Sequence, residues 1–480
     1  MILKIPSRRL RNLITFNLVF LFLASFATLA FAEDIGREAE TVRRETRGAK
    51  QIAKTAAKSQ EQAVTEKFKT GVTYADVLKD PDNIQLNFRY AQSQISKNEL
   101  LGAAATLERI LLLDPNLADV RLLYAVVLYR LDSLNEAQKE LDILKPLTLP
   151  SQIKQEVDFY QKKIQYQKRR THFTLRESFG WGYDTNRNAS PGSKKQLFFD
   201  TALDTQGTNT RRADTHYLNV TSLDVTHDLG FQAGHSVFAS FTYFLQEQTN
   251  VRSLDLGSYQ YELGGTYKSK YVNFTPSFYS SYLFLSDESF LRVQGGSFLF
   301  DRDLTRKLNV YYNFRLERQD YMNINENNDS YNRKGPEFDH YWGFHYLIIP
   351  TMRWSSTIGY GEKDAKQKYY AYDRVSLNNS HTWIWPKGQF LINTLSAYFD
   401  SYEGPELSVA GRHRHDKIMR YRFTYGAPLE TLLVGKILPR PFKDIVFTFS
   451  YELYRSLSNI TNYSYTNNKL EGLLTKRLEF

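Results

Sequence analysis

The chain has 480 residues, no cysteine and a formal net charge of +10. Without cysteine it forms no disulfide and cannot be a lipoprotein acylated on cysteine. Its basic excess does not indicate a nucleic-acid partner, because no Lys/Arg cluster accompanies a recognisable binding motif. Aromatic residues make up 15% of the chain, although its mean hydropathy is −0.48. That combination is rare in soluble proteins and typical of a membrane β-barrel with aromatic girdles and a wet interior.

Residues 1–32 have the parts of a secretory signal peptide. Four basic residues precede an apolar run from Leu13 to Leu29, and residues 30–32 form an Ala-x-Ala cleavage site. A membrane anchor is the alternative, but the run is somewhat short for a span and ends in small residues. Cleavage removes four positive charges and leaves +6. Residues 33–72 are polar and charged, which predicts a charged helical linker, with a partner-binding arm as the alternative.

An internal period of 34 residues marks residues 73–169, the predicted periplasmic domain. Asp80-Pro81 recurs as Asp114-Pro115 at that offset. The other matched positions pair Tyr90 with Tyr124, Ala91 with Ala125, Ala103 with Ala137 and Leu107 with Leu141. This is the period of the tetratricopeptide repeat (TPR), a helix–turn–helix unit, and a generic helical bundle is the alternative. Stacked repeats present a concave face that binds extended peptides, so we predict client docking here, with Tyr90 and Tyr124 as candidate contacts.

From residue 170 onwards apolar and polar residues alternate with the period of two that β-strands show, as in Asp444–Leu453. The pattern predicts fourteen strands, at residues 172–183, 214–228, 235–246, 257–267, 270–283, 289–301, 307–320, 338–349, 352–362, 369–383, 389–402, 415–426, 444–456 and 469–480. Loops after odd-numbered strands are mostly long, as at Thr185–Ala213, and those after even-numbered strands are mostly tight, as at Pro350-Thr351. Outer-membrane barrels show this asymmetry.

No other element could cover so much apolar surface, whereas a sheet closed in lipid satisfies every backbone group. The predicted fold class is therefore an α+β membrane protein. It has N-terminal TPR-like α-helical repeats followed, over residues 170–480, by a 14-stranded antiparallel transmembrane β-barrel. Export and closure together predict the outer membrane of a Gram-negative cell, with the N-terminal domain in the periplasm.

Alternation also predicts which side chains face the lumen. Arg315, Glu317, Arg420 and Arg422 are lumen-facing candidates because their neighbours in sequence are apolar and face lipid. Their expected role is either client contact or structural ion pairing within the lumen. The turn at Ala427–Lys443 is unusually apolar. It predicts a helix that plugs the periplasmic mouth or docks on the repeats, with an overlong strand pair as the alternative.

The chain ends with Leu478 and Phe480 on one face of the last strand. This resembles the C-terminal signal read by barrel-assembly machinery, although Thr475 stands where that signal usually has glycine. The expected partners are therefore the barrel-assembly machinery and the outer-membrane lipids, and we expect a monomer.

An enzyme is not indicated. The sequence has no Gly-x-Ser-x-Gly motif, no phosphate-binding glycine loop and no cysteine site. His413 and His415 are the only histidines close together, and they lie in a predicted surface loop beside arginines. We therefore predict no catalytic residues, no metal and no cofactor.

The entry into the predicted barrel, Phe179–Asn188, reads Phe-Gly-Trp-Gly-Tyr-Asp-Thr-Asn-Arg-Asn. It resembles the aromatic–Gly, Tyr-Asp-x-Asn-x-Asn run that opens the barrel of the surface lipoprotein assembly modulators (Slams). The residues that carry the likeness are Gly180, Gly182, Tyr183, Asp184, Asn186 and Asn188. Glycines relieve crowding in a tilted strand, and Asp and Asn begin the outer loop. The order and the types of the domains in the mature chain also resemble those of this family.

The resemblance implies an outer-membrane translocon of type XI secretion, which delivers a surface lipoprotein or a secreted haemophore-type protein. A periplasmic client would dock on the repeats and cross through the lumen, or leave sideways at the seam between the first and last strands. An exopolysaccharide-export porin with a TPR domain and a substrate-specific porin are the alternative functions.

Overall fold

A computed structural model describes residues 73–325, 329–433, 442 and 444–480. These residues fall into two compact units, a helical unit up to Arg170 and a β-barrel from Thr171 to Phe480. The predicted signal peptide and the charged segment 33–72 lie outside the described residues.

Over residues 73–170 the helical unit has six helices: α1 Tyr74–Lys79, α2 Ile84–Ser96, α3 Leu100–Leu113, α4 Ala118–Arg130, α5 Leu134–Leu144 and α6 Ser151–Lys168. Polar caps start the first two, since Thr73 and Asp76 form a capping box and Asn83 accepts from the backbone N–H of Leu86. In the part of the chain that the structure describes, none of the helices is both long and apolar enough to cross a membrane.

The 34-residue period corresponds to repeated helix pairs. Helices α2 and α4 start and end at positions 34 residues apart, and so do the starts of α3 and α5. The matched residues Ala91, Ala125, Ala103, Ala137, Leu107 and Leu141 are all buried in one core. Small alanines at these positions let the paired helices approach closely. Assignment of the pairs to the tetratricopeptide class stays a prediction.

The barrel has fourteen antiparallel strands and is closed by pairing of the first with the last. They are β1 Thr171–Asp184, β4 Asp214–Asp228, β5 Ser236–Gln248, β6 Leu256–Thr266, β7 Asn273–Leu285, β8 Glu288–Thr305, β9 Leu308–Tyr321, β10 Gly335–Ile349, β11 Met352–Lys363, β12 Tyr372–Trp385, β13 Gln389–Tyr402, β14 His415–Pro428, β15 Ile445–Ser458 and β16 Tyr465–Glu479. The predicted 14-stranded antiparallel barrel is confirmed.

The first long loop has structure of its own. Between β1 and β4 it forms a small hairpin of β2 (Lys195–Phe198) and β3 (Thr201–Asp204). At its tip Phe199 and Asp200 both have positive φ, of 46° and 59°, as a two-residue hairpin turn requires. The sequence pattern predicted a long loop at Thr185–Ala213 but did not predict this hairpin.

The turn predicted at Ala427–Lys443 begins two residues later in the structure, because β14 extends to Pro428. Ala427 and Pro428 continue β14, because they pair with Phe447 and Val446 of β15. A single helical turn, α7 (Leu429–Leu432), follows. Most of the remaining turn, residues 434–441 and 443, lies outside the described residues, so its predicted role stays a prediction.

Candidate functional site

A cavity of about 830 Å³ lies within the barrel. Its walls are formed by inward-facing side chains of twelve strands, and the predicted lumen residues Arg315, Glu317, Arg420 and Arg422 are among them. Five arginines and five carboxylates line it, together with many serines, threonines and tyrosines. The lining is therefore polar and nearly balanced in charge.

The charges of the wall are arranged in rows across neighbouring strands. One row places Arg422 opposite Glu452, Glu452 opposite Lys469, and Lys469 opposite Asp184. Signs alternate along it, so each charge faces an opposite charge on the next strand. Arg422 also donates from Nη2 to Glu471 Oε2 at 3.0 Å.

Two further arginines have a carboxylate of a neighbouring strand as partner. Arg374 donates from Nε and Nη2 to the two carboxylate oxygens of Asp400, at 2.6 Å each. Arg420 donates from Nη2 to Glu452 Oε2 at 2.6 Å. These carboxylates do not line the cavity, whereas the arginines do. On the β12 and β14 side the cavity is therefore lined by arginines, and the carboxylates that pair with them lie outside the lining.

The β9 and β10 side presents carboxylates together with Arg315. Glu317 accepts from Tyr279 Oη at 2.7 Å, from Gln319 Nε2 at 2.7 Å and from Arg315 Nη2 at 3.1 Å. Glu337 also lies here, within reach of Gln319 and of Lys363. A solute in the cavity therefore meets both carboxylates and the guanidinium of Arg315 on this side, and arginines on the β12 and β14 side.

The lumen is not polar throughout. Near the long-loop ends of β4 to β8 buried side chains form an apolar cluster, each no more than 7% exposed. Its members on these strands are Leu218, Phe244, Leu256, Tyr279, Leu283, Leu285, Phe290, Leu291 and Val293. The wet interior expected from the composition is therefore confined to the remaining wall.

The glycines of the barrel-entry motif make room at the β1–β16 seam. A Cβ on Gly180 would collide with the carbonyl oxygen of Gly472 and the side chain of Leu473, and one on Gly182 would collide with the imidazole of His216. His216 is fully buried, with Nδ1 3.3 Å from Asp184 Oδ2 and Nε2 3.5 Å from Glu471 Oε1. An imidazole on β4 thus reaches over β1 to a carboxylate on β16.

The other residues of the motif separate into outward and inward positions. Tyr183 faces outward and is 41% exposed. Asp184 is buried and accepts from Asn467 Nδ2 at 2.7 Å. Asn186 and Asn188 lie in the loop that follows β1 and are buried, at 3% exposure each.

The long-loop end of the barrel is covered by packed loops, which we call the loop cap (residues 185–213, 403–414 and 459–464). The backbone N–H of Leu197 donates to Asn462 Oδ1 at 2.6 Å, and that of Phe199 donates to the Ser408 carbonyl at 3.0 Å. The guanidinium of Arg414 lies 3.4 Å from the ring centroid of Tyr463. These contacts join all three loops.

One carboxylate of the loop cap is half-buried. Glu406 accepts from Tyr463 Oη at 2.8 Å. Burial raises the pKa of Glu406 above its ordinary value of 4.5, although the Tyr463 hydrogen bond and the charge of Arg414 oppose that rise. The charge state of the cap is therefore sensitive to pH.

The client-docking candidates lie in the helical unit. Tyr90 and Tyr124 are both half-buried, and the ring of Tyr90 lies 6.1 Å from that of Tyr74. Burial raises the pKa of Tyr124, and the negative charges of Glu108, Glu140 and Glu136 raise it further. The surroundings of Tyr124 are therefore acidic.

The C-terminal residues complete the seam. Leu478 and Phe480 are 41% and 51% exposed. The backbone N–H of Phe480 donates to the Phe173 carbonyl at 3.0 Å, and Phe173 donates in return at 3.3 Å. The last residue of the chain is therefore hydrogen-bonded to the first strand.

His413 and His415 have separate partners. His413 Nδ1 lies 3.2 Å from the Tyr402 carbonyl, and His415 Nδ1 lies 3.1 Å from Ser401 Oγ. Within residues 73–325, 329–433, 442 and 444–480, no three His, Cys, Asp or Glu side chains are grouped so that they could hold a metal ion.

Comparisons with known proteins identify no family. No protein-family model matches the chain, and no curated protein matches it. Among solved structures, OccAB3 of Acinetobacter baumannii is similar at a TM-score of 0.33 and 11% identity, over 65% of this chain and 99% of that chain. OpdQ of Pseudomonas aeruginosa has a TM-score of 0.31 at 8% identity, over 65% of this chain and 99% of that chain. The outer membrane protein OpdK of the same organism has a TM-score of 0.30 at 8% identity, over 64% of this chain and 99% of that chain. Similarity this low carries no functional conclusion.

Proposed function

We propose that the chain is an outer-membrane barrel that serves as a substrate-selective channel for a small polar solute, and that it is not an enzyme. The single observation that carries this proposal is the polar cavity of about 830 Å³ inside the closed barrel. Sites for small molecules occupy about 300–1,000 Å³, so the cavity fits a small solute and is far too small for a folded protein.

The outward face of the barrel supports the membrane location. Trp181, Leu263, Phe278 and Ile358 face outward on their strands and are each more than half exposed. Closed barrels can expose such side chains to lipid because their backbone groups are all paired within the sheet. The predicted signal peptide supplies the route to the outer membrane.

Solute exchange by the full mature chain in liposomes tests the channel. Ser396 lines the cavity, and its neighbour Leu395 faces outward and is 43% exposed. We expect Ser396→Trp to slow exchange of small polar solutes because indole fills the cavity, and Leu395→Trp to leave exchange unchanged. Equal rates for both variants would contradict a route through this cavity.

Delivery of a client protein, as the likeness to Slams implies, is the second candidate function. The observation that favours it is the pair of repeated helix units on the same chain as the barrel. The client would dock beside Tyr124, where Glu108, Glu136 and Glu140 favour a basic segment. It would then leave through the lumen or at the β1–β16 seam.

Deletion of residues 73–169 tests this second candidate. Co-expression with a candidate client encoded nearby, followed by protease treatment of intact cells, measures display at the surface. We expect the deletion to abolish display while the barrel still shows heat-modifiable mobility. Normal display by the deletion variant would exclude docking on the helical unit.

Export of an acidic polysaccharide is less well supported. Such exporters favour strongly charged lumens, whereas this cavity is lined by equal numbers of arginines and carboxylates. A wall with balanced charge would bind an acidic polysaccharide less strongly than a wall with an excess of positive charge would.

A further inference from the structure

Residues Asn186–Pro191 follow directly after β1 and are all buried, although they belong to no strand. Connecting segments normally run over the surface, since a buried loop must satisfy its backbone groups without water. Six consecutive buried loop residues therefore require a location inside the molecule.

That location is the inside of the barrel. Ala189 packs in a cluster with Ile418, Tyr454 and Tyr465, which alternation places on the inner faces of β14, β15 and β16. Tyr398 packs on the same cluster and also lines the cavity. The segment therefore lies within the lumen, between the cavity and the long-loop end.

The segment is held to its own loop by hydrogen bonds. Asn188 Nδ2 donates to the carbonyl of Thr210 at 2.6 Å, and Asn188 Oδ1 accepts from the backbone N–H of Arg212 at 2.9 Å. Within the segment, Asn186 Nδ2 donates to the Ser190 carbonyl at 2.9 Å, and Asn186 Oδ1 accepts from the Ser190 N–H at 3.0 Å. The segment and the returning part of the loop can therefore move as one piece.

The segment also contacts the wall and another loop. The backbone N–H of Asn186 donates to Asn467 Oδ1 at 2.9 Å. Arg187 is 5% exposed and donates from Nη2 to the carbonyl of Leu254, in the loop between β5 and β6, at 2.8 Å. The segment is thus fastened to different sides of the barrel mouth.

We propose that residues Asn186–Pro191 form a plug that closes the long-loop end of the lumen and must be withdrawn for solute to pass. The plug regulates the channel proposed above and rests on that function. Withdrawal breaks the bonds to Asn467 and Leu254 while the bonds of Asn188 within the loop persist. The cavity then becomes continuous with the long-loop side.

Paired tryptophan substitutions in the same loop test the plug. Ala189 is 4% exposed inside the barrel, whereas Ala202 is exposed on β3. Indole does not fit beside Ile418, Tyr454 and Tyr465, so Ala189→Trp should expel the plug, while Ala202→Trp is the matched control. An open state populated at a few per cent or less would rise to the majority, which is roughly a ten-fold or greater increase in solute exchange.

A second variant lacks residues 187–190. It tests the plug even if the barrel accommodates the tryptophan side chain at position 189. All proteins are compared as full mature chains in liposomes, after heat-modifiable mobility has shown that each barrel is folded. Faster exchange by Ala189→Trp or by the deletion, with Ala202→Trp at the wild-type rate, supports the plug. If the wild type exchanges solute and neither variant is faster, the plug is overturned while the channel is still supported. No exchange by any of the four proteins overturns the channel itself, and the plug with it.

Discussion

At the scale of single residues, the glycines of β1 act as spaces that other side chains fill. Leu473 occupies the space above Gly180, and His216 occupies the space above Gly182. Each filled space fixes the first strand against a neighbouring strand, β16 in one case and β4 in the other. The entry motif is therefore a packing device at the closure of the barrel.

Gly180→Ala tests this view. Its Cβ would collide with the backbone carbonyl of Gly472, which no rotamer change relieves, so we expect a loss of stability of about 1–3 kcal/mol. Gly472→Ala is the matched control at the same seam, because its Cβ would lie 3.7 Å from the nearest atom, a ring carbon of Phe447. The temperature at which each barrel loses its fast-migrating folded form in SDS gels measures the difference. Equal temperatures would contradict the close packing.

Glu406 predicts a pH dependence of the loop cap. A carboxyl whose folded-state pKa is raised stabilises the folded form fully below its ordinary pKa of 4.5, and that stability is lost as pH rises through the raised value. We therefore expect hydrogen exchange of residues 403–414 and 459–464, corrected for intrinsic rates, to become faster as pH rises above about 4.5. Glu406→Gln mimics the protonated form and should flatten the dependence. The same profile in both proteins would assign the effect to other groups.

At the scale of strands, the inner wall is held by charges that face each other across neighbouring strands. Glu452 is 3% exposed and accepts from both Arg420 and Arg422. Arg422 keeps a second partner in Glu471, at 3.0 Å. Loss of Glu452 thus removes a carboxylate that both arginines share.

We expect Glu452→Ala to cost roughly 3 kcal/mol, because it removes the buried carboxylate that pairs with two buried guanidinium groups. Glu479→Ala is the control, since Glu479 pairs with Arg477 but its side chain is 42% exposed. Urea unfolding of the barrel in detergent or lipid, followed by tryptophan fluorescence, measures both. A cost for Glu452→Ala no larger than that for Glu479→Ala would show that the row adds little to stability.

The same scale shows what sequence could and could not predict. Strand positions followed from the period of two, and Arg420 and Arg422 were placed by it, because alternation depends only on neighbours in the chain. Pairing of Arg422 with Glu452 depends on register between strands, which no local pattern carries. Asn186 and Asn188 were expected to begin the first outer loop, but their burial was not predicted, since asparagine satisfies loop backbone in either environment. Only the structure shows that their hydrogen-bond partners lie inside the barrel mouth.

At the scale of the whole molecule, each unit has its own core. Leu107, Leu141 and Ile164 are fully buried within the helical unit, and the barrel closes on itself through β1 and β16. Closure leaves no strand edge that would need another element to cover it. The helical unit therefore has an apolar core of its own, and the barrel sheet is complete in itself.

The separate core of the helical unit and the closure of the barrel predict how each unit behaves when it is made alone. Residues 171–480 should assemble into a barrel with heat-modifiable mobility, because every strand keeps both of its neighbours. Residues 73–170 should fold as a helical unit without detergent, with one cooperative unfolding transition by circular dichroism, because their apolar side chains pack among themselves. Ala103→Asp is the control within that unit, since it places a carboxylate in the core and should abolish the transition. A barrel that fails to close without residues 73–170 would show instead that the two units fold together.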